Sequence, residues 1–325
     1  MIGKLDPETL QTVLDQTGAE NPALLTGAAY GEDAAAIDHG DETLVVSSDP
    51  VSLAAEAAGT LGVHVACNDI AVAGADPEFL TNVIFLPDDE PQTIETLTSQ
   101  LDAAAEAIGV TIVGGHSEYV PTLSRPLLSL TAFGRTDSYV PTSGAEPGDA
   151  VLLTTGAGIE ATGIIATDFA AALRTRGVDE PTIDRATSFL TEISVLADAR
   201  AVRDVATAMH DPTEGGVRAG LVELAAAAGV DVVVDRKSVP VRSETEAVCA
   251  AMDVDPLRVF GSGSLLATVP SDSVEAATAS LAEAGIETAV IGTVEPPPSA
   301  ASGAFVLDGE RLTEAGKDQL YPFWE

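Results

Sequence analysis

One stretch constrains this chain more than any other: Met209-His210-Asp211-Pro212-Thr213-Glu214-Gly215-Gly216-Val217. It reads as the end of a buried strand, an acidic turn and a glycine-rich helix start, so the chain must build an α/β unit around it. Asp211 is suited to N-cap the helix, with Pro212 at the first helical position and Glu214 at the third. Val217, Leu221, Leu224, Ala225 and Ala228 then recur at helical spacing, and Gly229 is a fitting stop. Glycine costs a helix roughly 1 kcal/mol against alanine, so Gly215 and Gly216 make sense where another backbone or a ligand comes close. Bare N–H groups at a helix start bind anions, and neighbouring carboxylates suit an anion that arrives with a metal. Ordinary capping and packing explain the same residues, and the stretch alone does not separate the two.

The rest of the composition narrows the class. The 325 residues suggest two domains, and an apolar share of 46% supports a sizeable core. Aromatics make up only 4%, so the core is built from small side chains suited to helices laid closely on sheets. Acids outnumber bases 51 to 15, for a net charge of −36, and the acids are spread along the chain rather than gathered in a tail. That distribution predicts a halophilic surface and argues against nucleic-acid binding, which wants a basic face. Cys67 and Cys249 form no CxxC or Cys/His cluster, so no disulfide framework or zinc site is expected. No apolar run reaches the length of a membrane span, and the N-terminus lacks a signal peptide's apolar core. The expectation is a cytoplasmic enzyme with no membrane association.

The periodicity predicts a short helix from Pro7 to Gln16 and strands at 43–48, 79–86, 110–113 and 127–134, the third of these buried. Helices are expected over 60–73 and 92–108. Residues 138–149, rich in Pro and Gly, mark a boundary. A second unit follows, with strands at 151–155, 230–235, 265–269, 289–294 and 304–307. Its expected helices lie near 159–175, 183–204, 243–252 and 272–284, besides the one opened by Gly215-Gly216. The fold class is α/β (α+β), with domains over 1–140 and 141–325, each a mixed sheet covered by helices.

Further acidic spots lie in the first unit. Asp33 sits in Gly31-Glu32-Asp33-Ala34-Ala35 ahead of a possible strand at Ile37, and Asp49 stands where the strand over 43–48 ends. Asn68 and Asp69 lie inside an alanine-rich helix whose core face is Val63, Ala66, Ile70 and Ala73. Each has a structural reading (cap, turn, solvated face) beside the functional one. Gly114-Gly115 at a strand end would let a ligand approach, with His116 and Glu118 turned into one crevice; a satisfied surface imidazole reads equally well. No P-loop or GxSxG elbow is present. Many carboxylates with only three lysines, Lys4, Lys237 and Lys317, point to Mg²⁺ rather than lysine as the neutraliser of bound phosphates.

In order and spacing, five motifs resemble one superfamily: 31–35, Ser48-Asp49, Asn68-Asp69 through Pro77, Gly114-Gly115-His116-Ser117-Glu118, and 209–216. It holds AIR synthetase, thiamine-monophosphate kinase, selenophosphate synthetase and the hydrogenase maturation factor HypE. The likeness covers nearly the whole chain and is nearest to archaeal, HypE-like AIR-synthase-related proteins of haloarchaeal type. It implies a two-domain PurM-like fold, a homodimer formed by pairing the N-terminal sheets, and ATP with Mg²⁺ in the cleft. Asp33, Asp49, Asp69 and Asp211 would hold the metal. Gly31, Asp33, Asn68, Asp69, Gly114, Gly115, Gly215 and Gly216 would meet the nucleotide, and Asp211, Thr213, Glu214 and His116 would serve the chemistry.

The resemblance also implies attack by an oxygen nucleophile of a small phosphoryl acceptor on ATP; a maturation-protein partner or a thiamine-monophosphate kinase-like activity are the alternatives. Two departures bear on this. His116 stands where relatives commonly carry Asp, leaving Glu118 as a substitute. HypE ends in a cysteine that carries its carbamoyl group, whereas this sequence ends Leu320-Tyr321-Pro322-Phe323-Trp324-Glu325, so HypE's self-carbamoyl dehydration is not expected of it.

Overall fold

A computed structural model describes residues 3–54, 56–298 and 302–325. After α1 (Pro7–Leu14), the first unit builds a sheet from β1 (Leu24–Thr26), β2 (Ala35–Asp38), β3 (Thr43–Val51), β4 (Asp76–Leu86), β5 (Thr111–Tyr119) and β6 (Leu127–Thr136). The spatial order is β1-β2-β3-β6-β4-β5; β4 and β5 run parallel and the other pairs antiparallel. Two helices pack against this sheet. In α2 (Ala58–Val72) nearly every side chain is buried, as expected of a helix with no polar stripe. In α3 (Pro91–Ile108) only Leu97, Leu101, Ala104 and Ala105 are buried, a one-sided stripe that ends at the left-handed Gly109. The alternation along β6 turns Leu128, Leu130 and Ala132 toward the helices, while Ser129, Thr131 and Phe133 face the other way.

The second unit forms a sheet in the order β13-β12-β9-β11-β7-β10-β8. Its strands are β7 (Asp149–Thr154), β8 (Ala208–His210), β9 (Asp231–Val234), β10 (Leu266–Pro270), β11 (Thr288–Glu295), β12 (Ala304–Leu307) and β13 (Glu310–Leu312). Its helices are α4 (Ile159–Asp168), α5 (Ala170–Thr175), α6 (Glu180–Ser188), α7 (Leu196–Val202), α8 (Gly216–Ala228), α9 (Ser243–Met252) and α10 (Val274–Glu283). The units are not separate bodies: one apolar cluster runs from Val45, Ile70 and Leu130 through Leu196, Met209 and Leu265.

The structure corrects several expectations. The segment 110–113 leads into an edge strand rather than a buried one: Val113 is 53% exposed and β5 is open along most of its length. Asp49 lies within β3, paired with Leu130, because that strand continues to Val51. The helix expected over 159–175 breaks at Phe169, whose ring meets Phe323 and Trp324 edge-on. The helix expected over 183–204 breaks between α6 and α7, where the backbone of Ile193 and Val195 turns to bond Asn68.

Candidate active site at the seam of the two units

The carboxylates named from the sequence meet where the first sheet and α2 face β8 and the α8 turn. Asp49 comes from β3 and Asp69 from the facing side of α2. The hydroxyl of Ser47, two residues back on β3, donates to Asp69 Oδ2 at 2.6 Å. Burial, the adjoining Asp49 carboxyl and Asp33 hold Asp69 well above the usual carboxylate range, against the lowering effect of Ser47. Asn68, one residue earlier and fully buried, crosses the seam. Its Nδ2 donates to Ile193 O at 2.9 Å and to Asp211 Oδ2 at 3.0 Å, and its Oδ1 accepts from Val195 N at 3.0 Å. Asp211 is 1% exposed. Burial raises its pKa well above the ordinary value, with Asp33 and Glu160 adding to the rise, while Asn68 and His210 oppose it.

Two groups left out of the expected site lie inside it. His210, at the end of β8, has Nδ1 2.7 Å from Asp33 Oδ2 and Nε2 3.1 Å from Glu223 Oε2. Burial lowers its pKa, but the two carboxylates outweigh that and bring it to about 10, so the ring is an imidazolium donating from both nitrogens. Glu223 was legible as the one acid in the apolar α8 pattern, and His210 as the neighbour of Asp211. The paired acid beside Asp33 also has a positioning role: Glu32 accepts from the backbone N–H groups of Thr142 and Ser143 at 3.1 Å each, tying the first unit to the linker.

The opening motif folds differently from a capped helix start. Asp211 is not the N-cap; α8 begins at Gly216, with Gly215 at the cap and no side-chain capping bond. Gly215 and Gly216 have φ of +83° and +61°, so two left-handed residues close the turn after Thr213 and Glu214, while Asp211 lies at the seam bonded by Asn68. A Cβ on Gly216 would come within 2.3 Å of Val259 O. Backbone approach therefore accounts for that glycine, as it does for Gly31 against Glu223 O and Gly115 against Asn82 O. Gly215 N donates to Asp318 Oδ2 at 2.7 Å, and the Tyr321 hydroxyl donates to Glu214. Burial pushes both Asp318 and the neighbouring Glu160 up to about 7.

His116 does not join this cluster within one chain. It sits on β5 beside Val83, with Nε2 3.3 Å from Glu118 Oε2, both side chains exposed. Gly114 and Gly115 share that edge strand, separated from β3 by β4 and β6.

Among the described residues, no three His, Cys, Asp or Glu side chains are drawn together closely enough to hold a metal ion unaided. The donor set nevertheless suits a hard cation. Asp49 Oδ2 and Asp211 Oδ1 are buried oxygens without a hydrogen-bond partner, and an ion that keeps several waters needs only one or two such carboxylates with phosphate oxygens completing its shell.

This geometry coincides with a known architecture. Residues 31–136 match the N-terminal domain of AIR synthase related protein, and residues 146–302 match its C-terminal domain. The chain belongs to the AIR synthase related family. It is 31% identical over 253 residues to the carbamoyl dehydratase HypE of Azotobacter vinelandii, covering 73% of this chain and 69% of that one. Against the HypE of Cupriavidus necator, 28% identical, the match covers 69% of this chain and 63% of the relative. It is 29% identical over 296 residues to the thiamine-monophosphate kinase of Halobacterium salinarum, covering 88% and 93%. The AIR synthase fold is equally clear in solved structures. AaThiL complexed with AMPPCP and TMP superposes with a TM-score of 0.74 at 20% identity, over 96% of this chain and 95% of that one. HypE in complex with ATP gives 0.70 at 24% identity, over 92% of each, and a HypE–HypF complex gives 0.70 at 21%, over 92% and 95%.

Proposed function

We propose that this AIR synthase related chain is a Mg²⁺-dependent, ATP-using enzyme that phosphorylates or activates an oxygen nucleophile of a small acceptor. One observation carries the reading: acids from both units, Asp33, Asp49 and Asp69 from one and Asp211 from the other, meet at one seam, where Asp49 Oδ2 and Asp211 Oδ1 are buried without a hydrogen-bond partner. AaThiL with AMPPCP and TMP and HypE with ATP supply the nucleotide by likeness. Mg²⁺, when bound, supplies charge neutralisation on the phosphates. Asp49 and Asp211 would hold it through their free oxygens, with Asp33 and Asp69 beside them. Asn68 sets the rotamer of Asp211, and His210 sets that of Asp33. The Thr213–Gly216 turn would face the transferred group, with Glu214 at its edge. The acceptor oxygen forms a bond to the γ-phosphorus as the bond to the bridging oxygen breaks and ADP leaves.

The open face of the first sheet supports the homodimer. Phe79 is 41% exposed, leans on Phe133 with ring centres 6.2 Å apart, and shares the sheet with the exposed Val113. His116 and the Gly114-Gly115 pair would then belong to that interface.

The testing experiment is ATP turnover with Mg²⁺ in molar KCl across a panel of acceptors that includes thiamine monophosphate and formylglycinamidine ribonucleotide. Turnover stimulated by one acceptor is the expected result. The second reading, a HypE-like maturation partner, is favoured by the likeness to HypE and to the HypE–HypF complex. It predicts nucleotide binding with no stimulated turnover. The thiols weigh against self-modification: Cys67 and Cys249 are both buried, and burial pushes each up to about 12.

A further inference from the structure

Lys4 belongs to none of the motifs, yet its ammonium lies at the same seam. Its Nζ donates to Thr213 Oγ1 at 3.3 Å and pairs with Glu223 Oε1 at 3.6 Å. The backbone beneath it is fastened: Lys4 N donates to Glu214 Oε2 at 3.2 Å and lies 3.3 Å from the Tyr321 hydroxyl. Gly3 presses so closely on the Tyr321 ring that a Cβ there would fall 2.1 Å from it. The two ends of the chain thus clasp over the Thr213–Gly215 turn and hold one ammonium at its rim. Burial lowers the pKa of that ammonium, but Glu223, Glu214, Asp33 and Asp49 outweigh it and keep the group charged. The side chain as a whole remains 50% exposed, so it lies at the rim of the seam rather than sealed inside it. Among the described residues, neither Lys237 nor Lys317 makes such a side-chain hydrogen bond or ion pair to the site acids.

We propose that Lys4 is the second cation of the phosphoryl site, contacting the terminal phosphoryl oxygens of the bound nucleotide beside Thr213. This rests on the ATP reading above. In that arrangement Mg²⁺ serves the Asp49–Asp211 side and Lys4 serves the turn. Transfer of a dianionic phosphoryl group calls for positive charge on its equatorial oxygens, and an ammonium does this as a point charge without the fork geometry of Arg. The paired Glu223, backed by the His210 imidazolium, orients the lysine.

The test is equilibrium binding of Mg²⁺-AMPPCP and Mg²⁺-ADP to the wild type, Lys4→Met and Lys4→Arg in molar KCl, with thermal unfolding of each ligand-free protein. Lys4→Met should weaken AMPPCP binding about tenfold or more and leave ADP within about twofold, and Lys4→Arg should restore most of the loss. Equal losses for both nucleotides would mean a structural role and overturn the assignment, as would unchanged affinities. Wild-type protein that binds neither nucleotide would overturn the ATP reading itself, a result distinct from either. If Lys4→Met is too unstable to assay, the same comparison in Lys4→Gln decides.

Discussion

At the residue scale, two acids of the site, Asp69 and Asp211, have carboxyls that hold their protons more tightly than they would in water. Both are raised mainly by burial, and a cation held by Asp49 and Asp211 at the same seam would oppose that penalty. Asp211→Asn keeps the size and an acceptor for Asn68 but removes the charge. It should abolish ATP turnover, by at least about 100-fold on the scale typical of a lost electrostatic group, while the unfolding midpoint stays the same or rises. Wild-type rates would remove Asp211 from the site. Glu160 offers a check on the electrostatics without any ligand. Its folded value of about 7 exceeds the ordinary 4.5, so the folded state holds the proton that the unfolded chain has released. The stability due to that protonated form is present below pH about 4.5 and is lost as pH rises to about 7. In urea unfolding, the advantage of wild type over Glu160→Gln should therefore shrink by about 2–3 kcal/mol between pH about 5 and about 8. A difference constant with pH would show that Glu160 titrates normally.

At the element scale, α2 and α8 do the positioning, α2 through Asn68 and Asp69 and α8 through Gly216 and Glu223. Asn68 fastens α2 to the segment between α6 and α7 with two buried hydrogen bonds and to Asp211 with a third. Asn68→Ala leaves Ile193 O, Val195 N and Asp211 without that partner and should cost about 3 kcal/mol by chemical denaturation. A cost under about 1 kcal/mol would mean that water replaces the amide. The start of α8 depends on Gly216 for both its φ and its space. Gly216→Ala should destabilise by about 2–4 kcal/mol, whereas Gly229→Ala, with φ of +68° but open surroundings, should cost about 1 kcal/mol. Similar costs at the two positions would dismiss the close approach to Val259.

At the scale of the whole molecule, a net charge of −36 opposes compaction. Arg135 answers Glu42 and Glu78, and Arg200 and Arg203 answer Asp76, but most acids outnumber any such partner. Screening alone is nearly complete by about 0.5 M salt. A halophilic surface should go on gaining stability beyond that, so the thermal midpoint is expected to keep rising between about 0.5 and about 2 M KCl. A plateau from about 0.15 M upward would show an acidic surface with no special need of salt. Among the described residues, no helix is long and apolar enough to cross a membrane.

Local sequence determined the elements. Apolar spacing placed α2, α3, α8 and α9 within a few residues, because a one-sided or all-apolar helix writes its period into the chain, and Gly109 and Gly229 close α3 and α8 as left-handed caps. It also supplied Asp33, Asp49, Asp69 and Asp211, since acids beside glycines and strand ends stand out against an alanine-rich background. What it could not contain was partnership across long separations. Lys4 to Thr213, Asn68 to Asp211 and His210 to Asp33 are pairs set by how two sheets and their helices meet. For the same reason the break near Ile193 and the exposure of β5 were hidden: both depend on what lies opposite, and only the tertiary structure decides that. The motif at 209–217 shows both halves of the matter. Its glycines announced a special turn, but whether Asp211 capped a helix or faced a seam was decided by the close approach of Val259 and the amide of Asn68.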